Sequence, residues 1–258
     1  MLGAIAGDII GSAHEFGLTK TKDFPLFGPE CGFTDDTVMT VAIAQAILTD
    51  GDYRRAALDF GRRYPGRGYG GSFRQWLASP DPRPYGSYGN GAAMRASPVG
   101  FAFSSVDEVL REAGRSAAFS HDHPEGVKGA QAAALAALLA RTKRDKALVK
   151  AEIASRFGYD LDRTVDAIRP AYRHVESCQE TVPEAIISFL DSSSYEDAVR
   201  NAVSLGGDAD TLACIAGGIA EAFYGPVPPE ILAEVRRCLA PELRDIVERF
   251  YRTFRLPF

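Results

Sequence analysis

Apolar residues recur along the chain at helical spacing, and the alternating patterns that would predict strands are nearly absent. Residues 37–49 (TVMTVAIAQAILT) carry apolar side chains on most faces, which predicts a helix buried on several sides. Residues 126–141 (GVKGAQAAALAALLAR) read the same way: Ala and Leu favour helix, and the small side chains permit close packing. Further helices are predicted over 145–157, 161–174, 183–191, 195–205, 208–223, 229–239 and 241–253. Pro183 and Pro229 are read as first-turn prolines, where the missing N–H costs nothing. Between helical stretches, 64–71 (YPGRGYGG) and 79–91 (SPDPRPYGSYGNG) concentrate Gly, Pro and Tyr, and loops of this length are usually functional or disordered. No linker, composition break or internal repeat divides the chain. One all-α domain over 1–258 is the expectation.

Hydrophobic residues make up 46% of the chain and charged residues 24%, ordinary values for a soluble globular protein. Twenty-nine Lys and Arg against 34 Asp and Glu leave a net charge of −5. Strong nucleic-acid binding, which needs a basic excess, is not expected. Cys31, Cys178, Cys214 and Cys238 lie far apart without a CxxC pair, a poor disulfide framework and a poor zinc site. Cys214 and Cys238 fall within apolar helical patterns and read as buried free thiols. The N-terminal MLGAIAGDIIGSAHEF has no basic n-region and no long apolar stretch, so it does not read as a signal peptide. No apolar run approaches the ~18 residues of a membrane span. A cytoplasmic protein without membrane attachment is expected.

The acids are unevenly placed. Thr34-Asp35-Asp36-Thr37 and Asp208-Ala209-Asp210-Thr211 each precede a strongly apolar helix. Helix capping explains one Asp in each motif, because Thr and Asp accept hydrogen bonds from first-turn N–H groups. Two carboxylates leading into a buried helix repel unless something compensates them. No base is near: 23–53 holds six acids and no Lys or Arg, and 201–235 holds five acids and none. A hard divalent cation held by carboxylate and hydroxyl oxygens would neutralise such a cluster, provided the two motifs meet in space. Residue chemistry alone leaves capping and cation binding both open.

Other polar residues are also double-edged. Glu15 lies on an apolar, small-residue stretch, where it is either an exposed residue or a catalytic carboxylate. Gly89-Asn90-Gly91 is either an Asn-Gly turn or a backbone cradle for phosphate, although no P-loop sequence follows. His121 and His123 flank Asp122 at a Pro124 helix entrance, with Asp122 placed near the cap. His14 and His174 read as surface or satisfied residues. Tyr69, Phe73, Trp76 and Tyr85 either pack the loops or stack on a substrate.

Together these pieces resemble the ADP-ribosylglycohydrolase family. GDIIGSAHEF (7–16), FTDDT (33–37), YGNGAAMR (88–95), SHDHP (120–124) and GGDADT (206–211) occur in family order across most of the chain. The resemblance implies an all-α, compact single-domain orthogonal helical bundle with a binuclear metal cleft. It implies two divalent cations, Mg²⁺ or Mn²⁺, with Thr34, Asp35 and Asp36 on one side and Asp208, Asp210 and Thr211 on the other. Glu15 takes a catalytic position beside them, with Asp35 and Asp36 as alternative bases. Gly89, Asn90 and Gly91 would line the ADP-ribose phosphates, and His121 or His123 the distal ribose or phosphate.

The implied reaction is metal-dependent hydrolysis of the glycosidic bond at C1″ of an ADP-ribosylated protein or small ADP-ribosyl conjugate, by a monomer. Two other functions fit some of the same residues. One is a catalytically inactive ADP-ribose-binding or structural relative, and the other a metal-dependent phosphohydrolase acting on a small nucleotide.

Overall fold

Helices carry the computed structural model, which describes residues 1–17 and 19–257. The first half contains α1 (Leu2–Ser12), α2 (Asp35–Leu48), α3 (Tyr53–Arg63), α4 (Gly71–Ala78), α5 (Gly91–Met94), α6 (Ser97–Ala102), α7 (Val106–Ala118) and α8 (Pro124–Lys143). The second contains α9 (Lys146–Phe157), α10 (Val165–Ile168), α11 (Cys178–Leu190), α12 (Tyr195–Ser204), α13 (Ala209–Tyr224), α14 (Pro229–Cys238) and α15 (Pro241–Thr253). Among the described residues the only β pairing is one antiparallel bridge between Gly89 and Ser177, so the all-α expectation holds. None of the described helices is long and apolar enough to cross a membrane.

Two helices predicted to be buried on several sides are so. Residues 36–44 of α2 and 132–140 of α8 are buried without interruption, more than two full turns in each. A third central element, α13, packs against α1 so closely that the backbones touch. Gly3, Gly7 and Gly11 stand four apart and form one stripe along α1. A Cβ at Gly3 would lie 2.4 Å from Gly217 O, at Gly7 2.0 Å from Ala213 O, and at Gly11 2.5 Å from Ala209 O. Partners descend along α13 as the glycines ascend along α1, so the two helices run antiparallel. Side chains larger than hydrogen would force them apart. The end of α1 therefore meets the start of α13, which brings Glu15, just beyond α1, to Asp208 and Asp210.

Three sequence expectations need correction. Over 161–174 only Val165–Ile168 is helical, because Pro170 has no N–H to extend the turn that Thr164 caps. Pro183 does not open a helix but lies inside α11, which starts at Cys178. That earlier start is fixed from outside, since Cys178 N donates to Tyr88 O and Asn90 N to Glu176 O. The carbonyl that loses its donor to Pro183 belongs to Gln179, which is exposed to water. Finally, Cys238 is only half-buried; Cys178 and Cys214 are the buried thiols, and all four cysteines are free.

Candidate active site: a carboxylate-lined cleft

Four chain segments open onto one cleft of ≈ 210 Å³. Glu15 follows α1, Asp35 and Asp36 begin α2, Gly89–Gly91 lead into α5, and Asp208, Asp210 and Thr211 begin α13. The cleft lining also includes His121, Phe73 and Tyr85.

The start of α2 is tied to α1 by Asp8, a fully buried carboxylate. Its oxygens accept from Thr34 N at 3.0 Å, Thr34 Oγ1 at 2.7 Å and Thr37 N at 3.1 Å, and also from Thr37 Oγ1. Burial raises Asp8 to about 6, against the pull of those hydrogen bonds. Thr34 in turn caps α2 by accepting from Asp36 N at 3.2 Å. Its hydroxyl donates to Asp8 and accepts the cap bond, which leaves one lone pair, although Thr34 is not among the residues lining the cleft. The loop at 64–70 closes over the same corner: Asp35 N donates to Arg67 O at 2.7 Å. Gly68, at φ +96°, passes so near that a Cβ there would sit 3.1 Å from Asp35 Oδ1.

Across the cleft, Glu15, Asp208 and Asp210 each offer an oxygen within 4.8 Å of the others. Thr211 Oγ1 donates to Asp36 Oδ2 at 3.3 Å, which joins the two acidic motifs directly. Asn90 Nδ2 donates to Asp208 Oδ2 at 2.7 Å and lies 3.1 Å from Thr181 Oγ1. The Asn90 side chain thus orients a member of the acidic cluster, a role beyond lining a phosphate.

The electrostatics follow from burial. Asp35 is raised to about 8, first by desolvation and then by Asp8. Asp36 and Asp210 are pushed well above the usual carboxylate range, by desolvation first and by neighbouring carboxylates next. Glu15 rises to about 7 through desolvation and the charge of Asp208. The guanidinium among the lining residues is that of Arg95, and its donors are turned to Ser116 O, Ala117 O and Ser120 Oγ. Asp36 Oδ1 is buried with no hydrogen-bond partner. Oxygen donors, excess negative charge and an orphaned carboxylate oxygen fit a hard divalent cation.

The two histidines separate. His121 lines the cleft, whereas His123 Nδ1 accepts from Glu125 N at 3.1 Å and caps α8. His123, and not Asp122, is therefore the helix cap; Asp122 accepts from Gly86 N at 2.7 Å. Phe73 and Tyr85 reach the cleft, while Tyr69 and Trp76 are buried. Asp8, Arg95, Ser120 and Glu176 complete the surroundings and had not been singled out as site residues. Asp8 interrupts an apolar run, and Arg95 and Ser120 fall inside the YGNGAAMR and SHDHP motifs; only Glu176 lies outside any motif.

Fold and cleft define an all-α protein that gathers carboxylates in one cleft at the meeting of helix termini. The ADP-ribosylglycohydrolase family model matches residues 1–257, and the chain belongs to that family. It is 27% identical to ADP-ribosylhydrolase ARH3 of Danio rerio, over 100% of this chain and 90% of that protein. The human ARH3 is 28% identical over 87% of this chain and 84% of its own length. ADP-ribosylarginine hydrolase Tri1 of Pseudomonas putida is 27% identical over 95% of this chain and 76% of its own. A solved ADP-ribosylglycohydrolase-related protein complex superposes with a TM-score of 0.70 at 25% identity, covering 97% of this chain and 96% of that one.

Proposed function

We propose that the protein is a divalent-cation-dependent hydrolase that cleaves the glycosidic bond at C1″ of ADP-ribose conjugates. Its products would be ADP-ribose and a restored protein side chain or small acceptor. The observation that carries this reading is the convergence of Glu15, Asp35, Asp36, Asp208 and Asp210 on one cleft that the Gly89–Gly91 loop also lines. Family membership and relatives named as ADP-ribosylhydrolases support the substrate class.

Asp35, Asp36, Asp208, Asp210 and Thr211 would hold two cations, Mg²⁺ or Mn²⁺, with Thr34 keeping the start of α2 in place beside them. Cations bound there supply Lewis acidity and offset the negative charge of the cluster. The chain's own groups do the rest. Glu15, half-buried at the cleft edge, accepts the proton of the attacking water, with Asp35 or Asp36 as the alternative acceptor. The surrounding carboxylates favour positive charge at C1″ as the glycosidic bond breaks through an oxocarbenium-like state. Gly89 and Gly91 let phosphate oxygens approach the backbone.

The test is incubation with ADP-ribosyl-arginine, ADP-ribosyl-serine and O-acetyl-ADP-ribose, with Mg²⁺ or EDTA, followed by chromatography of free ADP-ribose. Mg²⁺-dependent release from at least one substrate is expected. Full activity in EDTA would overturn the metal dependence. Binding without release would make the protein an inactive relative, and phosphate release would make it a phosphohydrolase.

A further inference from the structure

His121 is 5% exposed, yet one ring nitrogen is left open. Nδ1 lies 2.8 Å from Ser120 Oγ, whereas Nε2 has no hydrogen-bond partner among the described residues. Nε2 faces the gap beside the Gly89–Gly91 loop: Cβ atoms at those glycines would stand 3.5 and 3.0 Å from it. The gap exists because both positions lack a side chain.

Ser120 decides which nitrogen carries hydrogen. Its Oγ accepts from Arg95 Nη2 at 2.9 Å, and a guanidinium can only donate. The single hydroxyl hydrogen of Ser120 then points to Nδ1, the acceptor within reach. Were Nδ1 to carry hydrogen, the hydroxyl hydrogen would be buried without an acceptor, which folded proteins avoid. Arg95 cannot turn away. It is 1% exposed, bonded to Ser116 O and Ala117 O, and stacked 4.2 Å above the Phe119 ring. Burial first and the Arg95 charge second hold His121 well below the usual histidine range. The other titratable group against the ring is Tyr85, 5.6 Å away, whose phenol burial pushes up to about 12 and keeps neutral.

We propose that Arg95 and Ser120 are positioning residues that lock His121 as the neutral Nε2–H tautomer, aimed as a donor at an anionic oxygen seated on the Gly89–Gly91 loop. The identity of that oxygen, a phosphate of the substrate, rests on the function proposed above; the tautomer does not. A donor held this way stays available through the range in which an ordinary histidine, with pKa ~6.5, would titrate.

Long-range ¹⁵N–¹H correlation NMR on the substrate-free protein reads the tautomer directly. Wild type should show hydrogen on Nε2 and a bare Nδ1, unchanged from about pH 5.5 to about pH 8. Ser120→Ala should give mixed tautomers and raise KM about tenfold, with kcat changed less than about threefold. Ser120→Thr, which keeps the hydroxyl, should restore both. Hydrogen on Nδ1 in wild type, or a His121 titration within that range, overturns the proposal. So does a Ser120→Ala protein with an unchanged tautomer and KM. If wild type shows the expected tautomer but hydrolyses no ADP-ribose conjugate, the lock stands and the functional reading fails.

Discussion

Stripped of divalent cations, the protein should lose stability as pH rises, and returning the cations should abolish the loss. In the metal-free fold Asp35 titrates at about 8 against an ordinary 3.8, and Asp36 and Asp210 are likewise raised. A carboxylate with a raised folded pKa binds its proton more tightly folded than unfolded. Its contribution is complete below the unfolded value near pH 4 and is lost as pH climbs through the folded one. Each such group therefore costs about 1.4 kcal/mol per pH unit while the unfolded chain is ionised and the folded group is not. Asp35 alone gives about 1.4 kcal/mol per unit up to about pH 8, a fall in melting temperature of about 3–6 °C per unit for a chain of this size, and Asp36 and Asp210 act in the same direction. His121 acts oppositely, since its lowered pKa adds stability as pH rises, but only up to the unfolded value near 6.5. The window that avoids His121 thus runs from about pH 6.5 to about pH 8. The buried Met1 amine, lowered from its ordinary 8.0 by desolvation, offsets part of the fall there equally with and without cations, so the difference between the two conditions is what reads the carboxylates. Thermal melts followed by circular dichroism in EDTA and in excess MgCl₂ measure it. Asp36→Asn should flatten the EDTA slope by one group's share, about 1.4 kcal/mol per unit. An EDTA slope no more negative than the slope in MgCl₂ would refute the reasoning, as would an unchanged slope in Asp36→Asn.

Other perturbations separate the cluster from its supports. Asp210→Asn should keep the fold and lose turnover by at least about a hundredfold, read as ADP-ribose release under saturating Mg²⁺. Asn90→Ala removes the 2.7 Å donor to Asp208 and should weaken Mn²⁺ binding about 10–100-fold in titration calorimetry. Gly7→Ala drives a methyl to 2.0 Å from Ala213 O and should cost about 3 kcal/mol or more, seen as a lowered urea midpoint.

Hydrophobic periodicity made the central helices legible because α2 and α8 are buried on most faces and need apolar residues all round. It missed α1, α3 and α7 for different reasons. In α7 the start signal was present as Ser105 and Glu108, which form a capping box, and in α3 as Asp52, which accepts from Arg55 N at 2.9 Å. In α1 the signal was the spacing of Gly3, Gly7 and Gly11, which reads as helix-breaking until a partner backbone is known to lie against it. That partner, α13, is some two hundred residues away in sequence. The same long-range packing places Glu15, which is why the residue's own surroundings could not distinguish a surface acid from a catalytic one.

Capping and cation binding were equally open explanations of the acidic motifs, and the side-chain partners now weigh them. If capping accounted for the acids, one carboxylate in each motif would accept first-turn N–H groups. In Thr34-Asp35-Asp36-Thr37 the cap is Thr34, so both aspartates are free of that duty. In Asp208-Ala209-Asp210-Thr211, Asp208 stands at the N-cap position of α13 yet makes no side-chain capping bond. Its carboxylate turns instead to Asn90. Asp210 Oδ1 does accept a first-turn N–H, from Thr211 at 2.9 Å, but Asp35, Asp36 and Asp208 are spared from capping and gathered where burial makes their charges costly. A fold that needed them only as helix caps would gain stability by replacing them with Ser or Asn, which cap as well without charge. With their charges so costly, these carboxyls either keep their protons, as the raised pKa values of the metal-free fold express, or give them up to a positive partner in the cleft between the two helix starts. That is the choice that the melts with and without Mg²⁺ decide.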